Sequence, residues 1–142
     1  MAIKPVLQAL LLADQVYEDE PTGKKIIAGT YDTVYAHEFP AEFARQTYAY
    51  ICLSSIHGRT PMKLEYVDLS NDEVLMEYGP IYIESQDPLA RIDFTIPVPP
   101  LPCPHPGFYA LELHAGHELI GRVRISAELI EEEEDNDRED FT

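Results

Sequence analysis

Apolar and polar side chains alternate along much of this chain with a period of two. The clearest case is residues 90–96, where four apolar side chains alternate with Arg91, Asp93 and Thr95. Successive side chains of a β-strand point to opposite faces, so this pattern predicts a strand that is buried on one side only. Residues 62–69 repeat the pattern, and similar segments recur roughly every ten residues without a helical period. The chain is therefore predicted to form about eight strands.

Turn-forming residues divide these strands. Residues 18–23 hold three acids followed by Pro, Thr and Gly, which predicts a hairpin turn between the first strand and a second strand at 25–36. Residues 57–61 are predicted to close a third strand, and Asn71-Asp72 to form the next turn. Gly79-Pro80 predicts a bulge or break within a strand. The segment 39–45 is predicted to form a single helical turn.

The last hairpin can be placed in register from its apolar positions. A slip of one residue would turn every side chain of a strand to the opposite face, so the buried face decides the register. Pairing Leu113 with Leu119 places the apolar residues of both strands on the same side. This register predicts a loop at residues 114–118.

Short strands at this spacing favour an all-β fold, namely an antiparallel two-sheet sandwich of the immunoglobulin-like or Greek-key type. We expect one sandwich domain over residues 1–130. Residues 131–142 contain eight acids and one arginine and almost no apolar side chain. They are therefore predicted to form a disordered acidic tail.

The charge of the chain limits its expected partners. The formal net charge is −16, of which the tail contributes −7 and the other 130 residues, with 18 acids and nine bases, contribute −9. Binding to nucleic acid or to an anionic membrane needs clustered Lys and Arg, so neither is an expected partner. The two cysteines are too few for a disulfide framework. Pro5 and Gln8 interrupt the apolar start, and Asp14 follows where a signal peptide would have its small-residue cleavage site. A cytoplasmic location with reduced thiols is expected.

Residues 9–40 carry several short motifs. An apolar strand ends in Asp14, a strand of the type I-x-G-x-[YF]-D contains Gly29, Tyr31 and Asp32, and a corner follows at Phe39-Pro40. In these motifs, and in Pro106-Gly107-x-Tyr109 near the end, the chain resembles a family of small bacterial cytosolic proteins with no assigned activity. The resemblance implies a β-sandwich and extends over nearly the whole chain except the acidic tail.

Two segments are candidate binding sites for a protein partner. The tail could dock on a basic groove through its acids and one aromatic anchor, with the candidate residues Glu131, Glu132, Glu133, Glu134, Asp135 and Phe141. Residues 97–106 include six prolines, and Pro99 and Pro102 fit a motif that proline-recognition grooves bind. The favoured interpretation of this proline segment is a stiff crossover between two strands. Exposed edge strands also make a homodimer plausible.

The residues do not predict a catalytic or cofactor site. Cys103, His105, His114 and His117 could ligate zinc if their loops converge, but their spacing matches no known ligand pattern. A Cys103–His105 dyad would need positive charge nearby to lower the pKa of the thiol, and this segment has none. Acids at 18–20 could gather calcium with Asn71 or Asp72, although carboxylates in turns are usually only solvated. No catalytic residue, metal or cofactor is therefore predicted.

Asp14 and Asp32 fall within predicted strands, where a partly buried carboxylate needs hydrogen-bond donors. We expect local bonds to the backbone or to a tyrosine hydroxyl, and the functional alternative is a polar pocket formed with Tyr31 and Tyr35. Taken together, the residues favour a non-enzymatic protein-interaction or adaptor module whose partner could be basic. The alternatives are a sandwich that binds a small molecule or carbohydrate through tyrosines, and a metal-dependent enzyme using Cys103, His105, His114 and His117.

Overall fold

The structure is a computed structural model that describes residues 4–131. These residues form eleven strands and no α-helix. The strands are β1 (Val6–Glu18), β2 (Lys25–Thr30), β3 (Thr33–Ala36), β4 (Ala41–Phe43), β5 (Thr47–Ser54), β6 (Gly58–Asp68), β7 (Glu73–Ser85), β8 (Ile92–Val98), β9 (Leu101–Cys103), β10 (Gly107–Ala115) and β11 (Glu118–Leu129).

Two sheets carry most of the fold. The first has the strand order β2-β1-β5-β8, the second has the order β3-β11-β10-β6-β7, and β4 pairs with β9 in a short third sheet. All pairs are antiparallel except β3 and β11, which run parallel. The predicted all-β sandwich is therefore confirmed. It has eleven strands and not eight, because the short strands β3, β4 and β9 were merged with a neighbour or missed in the sequence pattern.

The core lies between the two large sheets, where alternate residues of the strands meet. Tyr66 and Tyr109 are almost completely buried and stack with ring centroids 5.5 Å apart. The predicted half-buried strand at 62–69 is confirmed, because Met62, Leu64 and Tyr66 are all at most 3% exposed. The other fully buried side chains of this core include Leu12, Ile51, Leu53, Ile56, Leu113 and Ile125.

The strand predicted at residues 25–36 is divided between the two large sheets. The hairpin turn before it is confirmed, but β2 belongs to the first sheet and β3 to the second. Between them the Tyr31 amide donates to the Leu12 carbonyl at 3.2 Å, and the Asp32 carbonyl accepts from the Ser126 amide at 2.8 Å. Gly29 has φ of +74°, which a regular strand does not adopt, so the chain turns here toward the second sheet. The crossing at residues 31–32 thus links both layers.

Two local predictions were wrong for the same reason, a distant strand partner. Residues 39–45 do not form a helical turn; they contain β4, whose backbone pairs with the proline segment, Ala41 opposite Cys103. Residues 58–61 do not close the third strand but begin β6, where Gly58 lies opposite Ser85 on β7. The predicted bulge at Gly79-Pro80 is confirmed as a register shift of β7 against β6.

The last hairpin keeps the predicted faces but not the predicted loop. Leu111 lies opposite Val123 and Leu113 opposite Gly121. A bulge then places His114 opposite Leu119, and Ala115 pairs with Glu118 across a two-residue turn. The predicted pair of Leu113 with Leu119 is wrong because the bulge, and not a longer loop, takes up the extra residue.

Candidate ligand-binding cleft

A cleft of about 410 Å³ opens where the chain crosses from β2 to β3. This volume lies within the range of small-molecule pockets in proteins. The cleft is bounded by the end of β2, the crossing at residues 31–32, β3, and the segment that leads from β4 to β5. Its lining side chains are Asp14, Thr30, Tyr31, Asp32, Thr33, Val34, Tyr35, Phe43 and Arg45.

An ion pair forms one wall of the cleft. Asp14 lies on β1 just beyond Ala13, the last residue of β1 that pairs with β5. Arg45, which follows β4, donates from Nη2 to Asp14 Oδ2 at 3.0 Å. Both side chains are more than a third exposed, so the pair stabilises the fold by only about 0.2–1 kcal/mol. Its main effect is to hold the guanidinium against this wall.

Gly29 makes room for this ion pair. A Cβ atom at position 29 would lie 2.5 Å from Asp14 Oδ2 and 3.0 Å from Asp14 Cγ. The positive φ of this residue also disfavours any side chain. Glycine is therefore needed here for both its conformation and its small size, which explains its place in the I-x-G-x-[YF]-D motif.

Aromatic rings form the opposite side. The rings of Tyr31 and Phe43 meet at a tilt, with centroids 5.9 Å apart. The Tyr31 hydroxyl is hydrogen-bonded to the Thr47 hydroxyl, which in turn donates to the Arg45 carbonyl at 3.2 Å. Burial raises the pKa of the Tyr31 hydroxyl, and the negative charge of Asp14 raises it further. The group is therefore neutral at pH 7 and acts as a fixed, polar edge of the aromatic wall.

Asp32 is the second carboxylate of the cleft. Its Oδ1 accepts a hydrogen bond from the hydroxyl of Thr33 at 3.0 Å. Within residues 4–131, no Lys, Arg or His forms an ion pair with Asp32, in contrast to Asp14. Two carboxylates and one guanidinium therefore line the cleft, which leaves it with a net negative charge beside three aromatic rings.

The sequence located part of this site. The motif residues Asp14, Gly29, Tyr31 and Asp32 converge on the cleft, and Tyr35 joins them, as the polar-pocket alternative predicted. The expected partners of both carboxylates were wrong, because Asp14 is bound by Arg45 and Asp32 by the Thr33 hydroxyl, and neither by the backbone or a tyrosine. Sequence reasoning missed Arg45 because the segment before β5 was taken for a helical turn; Arg45 is the one Lys or Arg between Lys25 and Arg59.

A second polar cluster joins β6 to the loop before β10. Asp68, which is 2% exposed, accepts from the Ser70 hydroxyl at 2.7 Å and lies 2.6 Å from His105 Nε2. Burial alone would raise the pKa of Asp68, but its bonds from Ser70 and His105 outweigh this and lower it. The Tyr109 hydroxyl donates to the His105 carbonyl at 2.6 Å, which fixes the loop.

This cluster is not arranged for nucleophilic catalysis. His105 Nδ1 lies 2.8 Å from the Pro106 carbonyl while Nε2 faces the Asp68 carboxylate, so both ring nitrogens meet oxygen acceptors and the protonated ring is favoured. Its pKa is raised by the bond to Pro106 and by the bond to Asp68. The Ser70 hydroxyl donates to Asp68 and lies 3.3 Å from the same Nε2 that faces Asp68, so the acid does not orient the ring from its other nitrogen as it does in a catalytic triad.

The four residues of the predicted metal site do not meet. Cys103 and His105 precede the start of β10, whereas His114 and His117 lie at its other end. The whole length of β10, from Gly107 to Ala115, separates the two pairs. Cys103 Sγ lies 3.4 Å from the Tyr66 hydroxyl inside the core, and burial raises the pKa of this thiol. The set Cys103, His105, His114 and His117 is therefore wrong as one site.

The structure describes only three of the predicted partner-binding residues, namely Glu131, Pro99 and Pro102. Glu131 is exposed at the end of the described range, and Glu132, Glu133, Glu134, Asp135 and Phe141 lie outside the described residues. Pro99 is exposed, and Pro102 lies in β9 opposite Glu42. The proline segment links β8 of the first sheet to β10 of the second, and Leu101 is 2% exposed, which favours the crossover interpretation.

Several tyrosines remain exposed, so a tyrosine-lined binding surface is compatible with the fold. Tyr17, Tyr78 and Tyr82 are each more than two fifths exposed. Tyr82 is already covered on one face by the Arg59 guanidinium, 4.1 Å from the ring centroid. Within the described residues 4–131, no helix has the length and apolar character needed to cross a membrane.

The fold and its cleft thus define a β-sandwich protein with an acidic, aromatic-lined surface site. Residues 8–128 match the family of unknown function DUF6941, and the chain belongs to this family. No curated protein matches the chain. Among solved structures, an immunoglobulin-like protein from Pseudomonas aeruginosa is similar at 11% identity, over 88% of this chain and 97% of that chain, with a TM-score of 0.40.

Proposed function

We propose that this protein is a non-enzymatic interaction module that binds a basic side chain of a protein partner in the cleft beside β3. The observation that carries the proposal is the carboxylate of Asp32, which faces the cleft without a cationic partner among the described residues. Tyr31 and Phe43 supply aromatic surface next to it. A guanidinium or ammonium group gains from both a carboxylate and an aromatic face.

The charge of the body supports the same class of partner. The described residues carry an excess of acids, which attracts a basic surface over several ångströms and raises the rate of encounter. The acidic tail, from Glu131 onward, would add to this attraction. The buried, unpaired thiols of Cys52 and Cys103 support a reducing compartment such as the cytoplasm.

The test is a titration of the ¹⁵N-labelled full chain with the peptide acetyl-Gly-Arg-Gly-amide, followed by NMR. The matched ligand replaces arginine with citrulline, which has the same shape without the charge. We expect amide shifts of residues 29–35 with the arginine peptide and much weaker ones with citrulline. Equal shifts with both peptides, or shifts confined to other strands, would contradict the proposal.

Two isosteric variants separate local from long-range charge effects. Asp32→Asn removes a hydrogen bond to a charged group, which is worth about 1.5–3 kcal/mol, so binding should weaken by roughly tenfold or more. Glu20→Gln removes the same charge from the exposed hairpin turn and should leave the affinity nearly unchanged. If both variants weaken binding equally, the attraction is diffuse and the cleft is not the site.

A further inference from the structure

The outer face of the second sheet holds a compact set of possible metal ligands that is separate from the cleft. Glu65 on β6 and Glu112 on β10 lie directly opposite each other, and His114 is the next residue of β10 on the same face. One ligand atom from each of the three lies within 4.8 Å of the others. Each side chain is only 13–16% exposed.

The spacing of these atoms fits a small tetrahedral metal site. His114 Nε2 lies 3.4 Å from Glu65 Oε1 and 3.3 Å from Glu112 Oε1. Zinc binds imidazole nitrogen and carboxylate oxygen at about 2.0–2.1 Å, and two such ligands at the tetrahedral angle are about 3.3–3.4 Å apart. Both distances from His114 are therefore already those that a zinc ion would impose, and the ligand atoms of the two glutamates lie within 4.8 Å of each other.

The remaining carboxylate oxygens are held by cations. Lys63 Nζ donates to Glu65 Oε2 at 2.8 Å, and Arg122 Nη1 lies 3.7 Å from Glu112 Oε2. Each cation thus engages one oxygen and leaves Oε1 of the same carboxylate directed at His114. Outer contacts of this kind, here one hydrogen bond from Lys63 and one longer ion pair with Arg122, orient ligating carboxylates in metal proteins. The hydrogen bond from Lys63 also lowers the pKa of Glu65, which keeps this carboxylate ionised.

The placement of the three residues on the sheet also favours a fixed site. β6 and β10 are interior strands of the five-stranded sheet, so their backbones are held on both sides. Two like charges directly opposite on neighbouring strands repel each other, and a divalent cation between them would relieve this repulsion. Ligands on rigid strands need little rearrangement to bind.

We propose that Glu65, Glu112 and His114 form a zinc-binding site, with the fourth coordination position open to solvent. This site shares His114 with the sequence-based metal hypothesis but replaces its other members.

The test is calorimetric titration of the full chain with zinc chloride, accompanied by NMR of the histidine side chains. We expect one zinc equivalent to bind and to perturb Nε2 of His114. His114→Gln and Glu112→Gln should each weaken this event by at least tenfold. His117→Gln is the matched control, because His117 lies in the exposed turn three residues away and its loss should leave the affinity unchanged.

The acidic tail could collect zinc without any site, and the variants address this because all of them retain the tail. If wild type and His114→Gln give the same isotherm, the zinc is bound elsewhere and the proposal is wrong. If a variant fails to fold, the wild-type NMR measurement decides alone: a saturated protein whose His114 signals do not move would also refute the site.

Discussion

The fit between Gly29 and Asp14 can be tested by replacing Gly29 with alanine. A non-glycine residue in the left-handed region costs about 1–2 kcal/mol in folding free energy. The new Cβ would also lie 2.5 Å from Asp14 Oδ2, so the carboxylate would have to rotate away from Arg45. Losing that exposed ion pair adds up to about 1 kcal/mol. We expect Gly29→Ala to lower the free energy of unfolding by roughly 1–3 kcal/mol.

Gly23 offers a matched control for the backbone part of this loss. Its φ of +72° is nearly the same as that of Gly29, but a Cβ there would meet nothing within 4 Å. Gly23→Ala should therefore show the conformational loss alone. Urea denaturation of both variants at pH 7, with the free energies extrapolated to water, measures the difference.

A double-mutant cycle decides whether Asp14 is the cause. In an Asp14→Ala background the side chain that obstructs the new methyl group is gone, so Gly29→Ala should cost no more than Gly23→Ala. The reasoning is refuted if Gly29→Ala and Gly23→Ala are equally destabilising in the wild-type background. It is also refuted if the effect of Gly29→Ala is unchanged when Asp14 is absent.

Three further predictions concern other parts of the fold. Gly121→Ala would place a Cβ against Leu7 Cδ2, the far end of a partly exposed side chain that can rotate away. Stability in urea denaturation should therefore fall by about 1 kcal/mol, and an unchanged midpoint would contradict this contact. The pKa of His105 is raised above its ordinary value near 6.5, so its contribution to stability is complete below that pH and is lost as the pH rises through the raised value. Denaturation midpoints across roughly pH 6 to 9 should therefore fall in wild type and stay flatter in His105→Gln, and parallel curves would exclude this role. Among the described residues, the buried hydroxyl of Thr95 has no hydrogen-bond partner. Thr95→Val should therefore raise the free energy of unfolding by about 1 kcal/mol or more. A lower melting temperature of this variant would contradict the prediction.

The period-two pattern predicted the sandwich because burial on one face of a strand is encoded locally. β6 and β8 show this, since the core holds Met62, Leu64 and Tyr66 of β6 and Ile92, Phe94 and Ile96 of β8. The same logic failed where pairing depends on distant residues. β4 exists because its backbone meets β9, some sixty residues later in the chain, and residues 41–43 carry no local sign of this partner.

The candidate sites were predictable to different extents. The carboxylates of Asp14 and Asp32 pointed to the cleft, because partly buried carboxylates in strands need hydrogen-bond donors and suggested a polar pocket with Tyr31 and Tyr35. Arg45 could not be assigned to Asp14 without the crossing of β2 into β3. The Glu65–Glu112–His114 set depends on the register of β6 against β10, which the sequence does not determine for two strands separated by forty residues.

The bulge at Gly79-Pro80 affects how copies of this protein can associate. β7 is an edge strand of the second sheet, and its outer side is the natural place for another strand to add. Pro80 lacks an amide hydrogen, and the bulge bends the strand there, so an incoming chain meets two short, misaligned halves instead of one continuous ladder. The repeated edge-to-edge addition of further copies, which would build a fibril, is therefore disfavoured at β7, even though this strand is thirteen residues long.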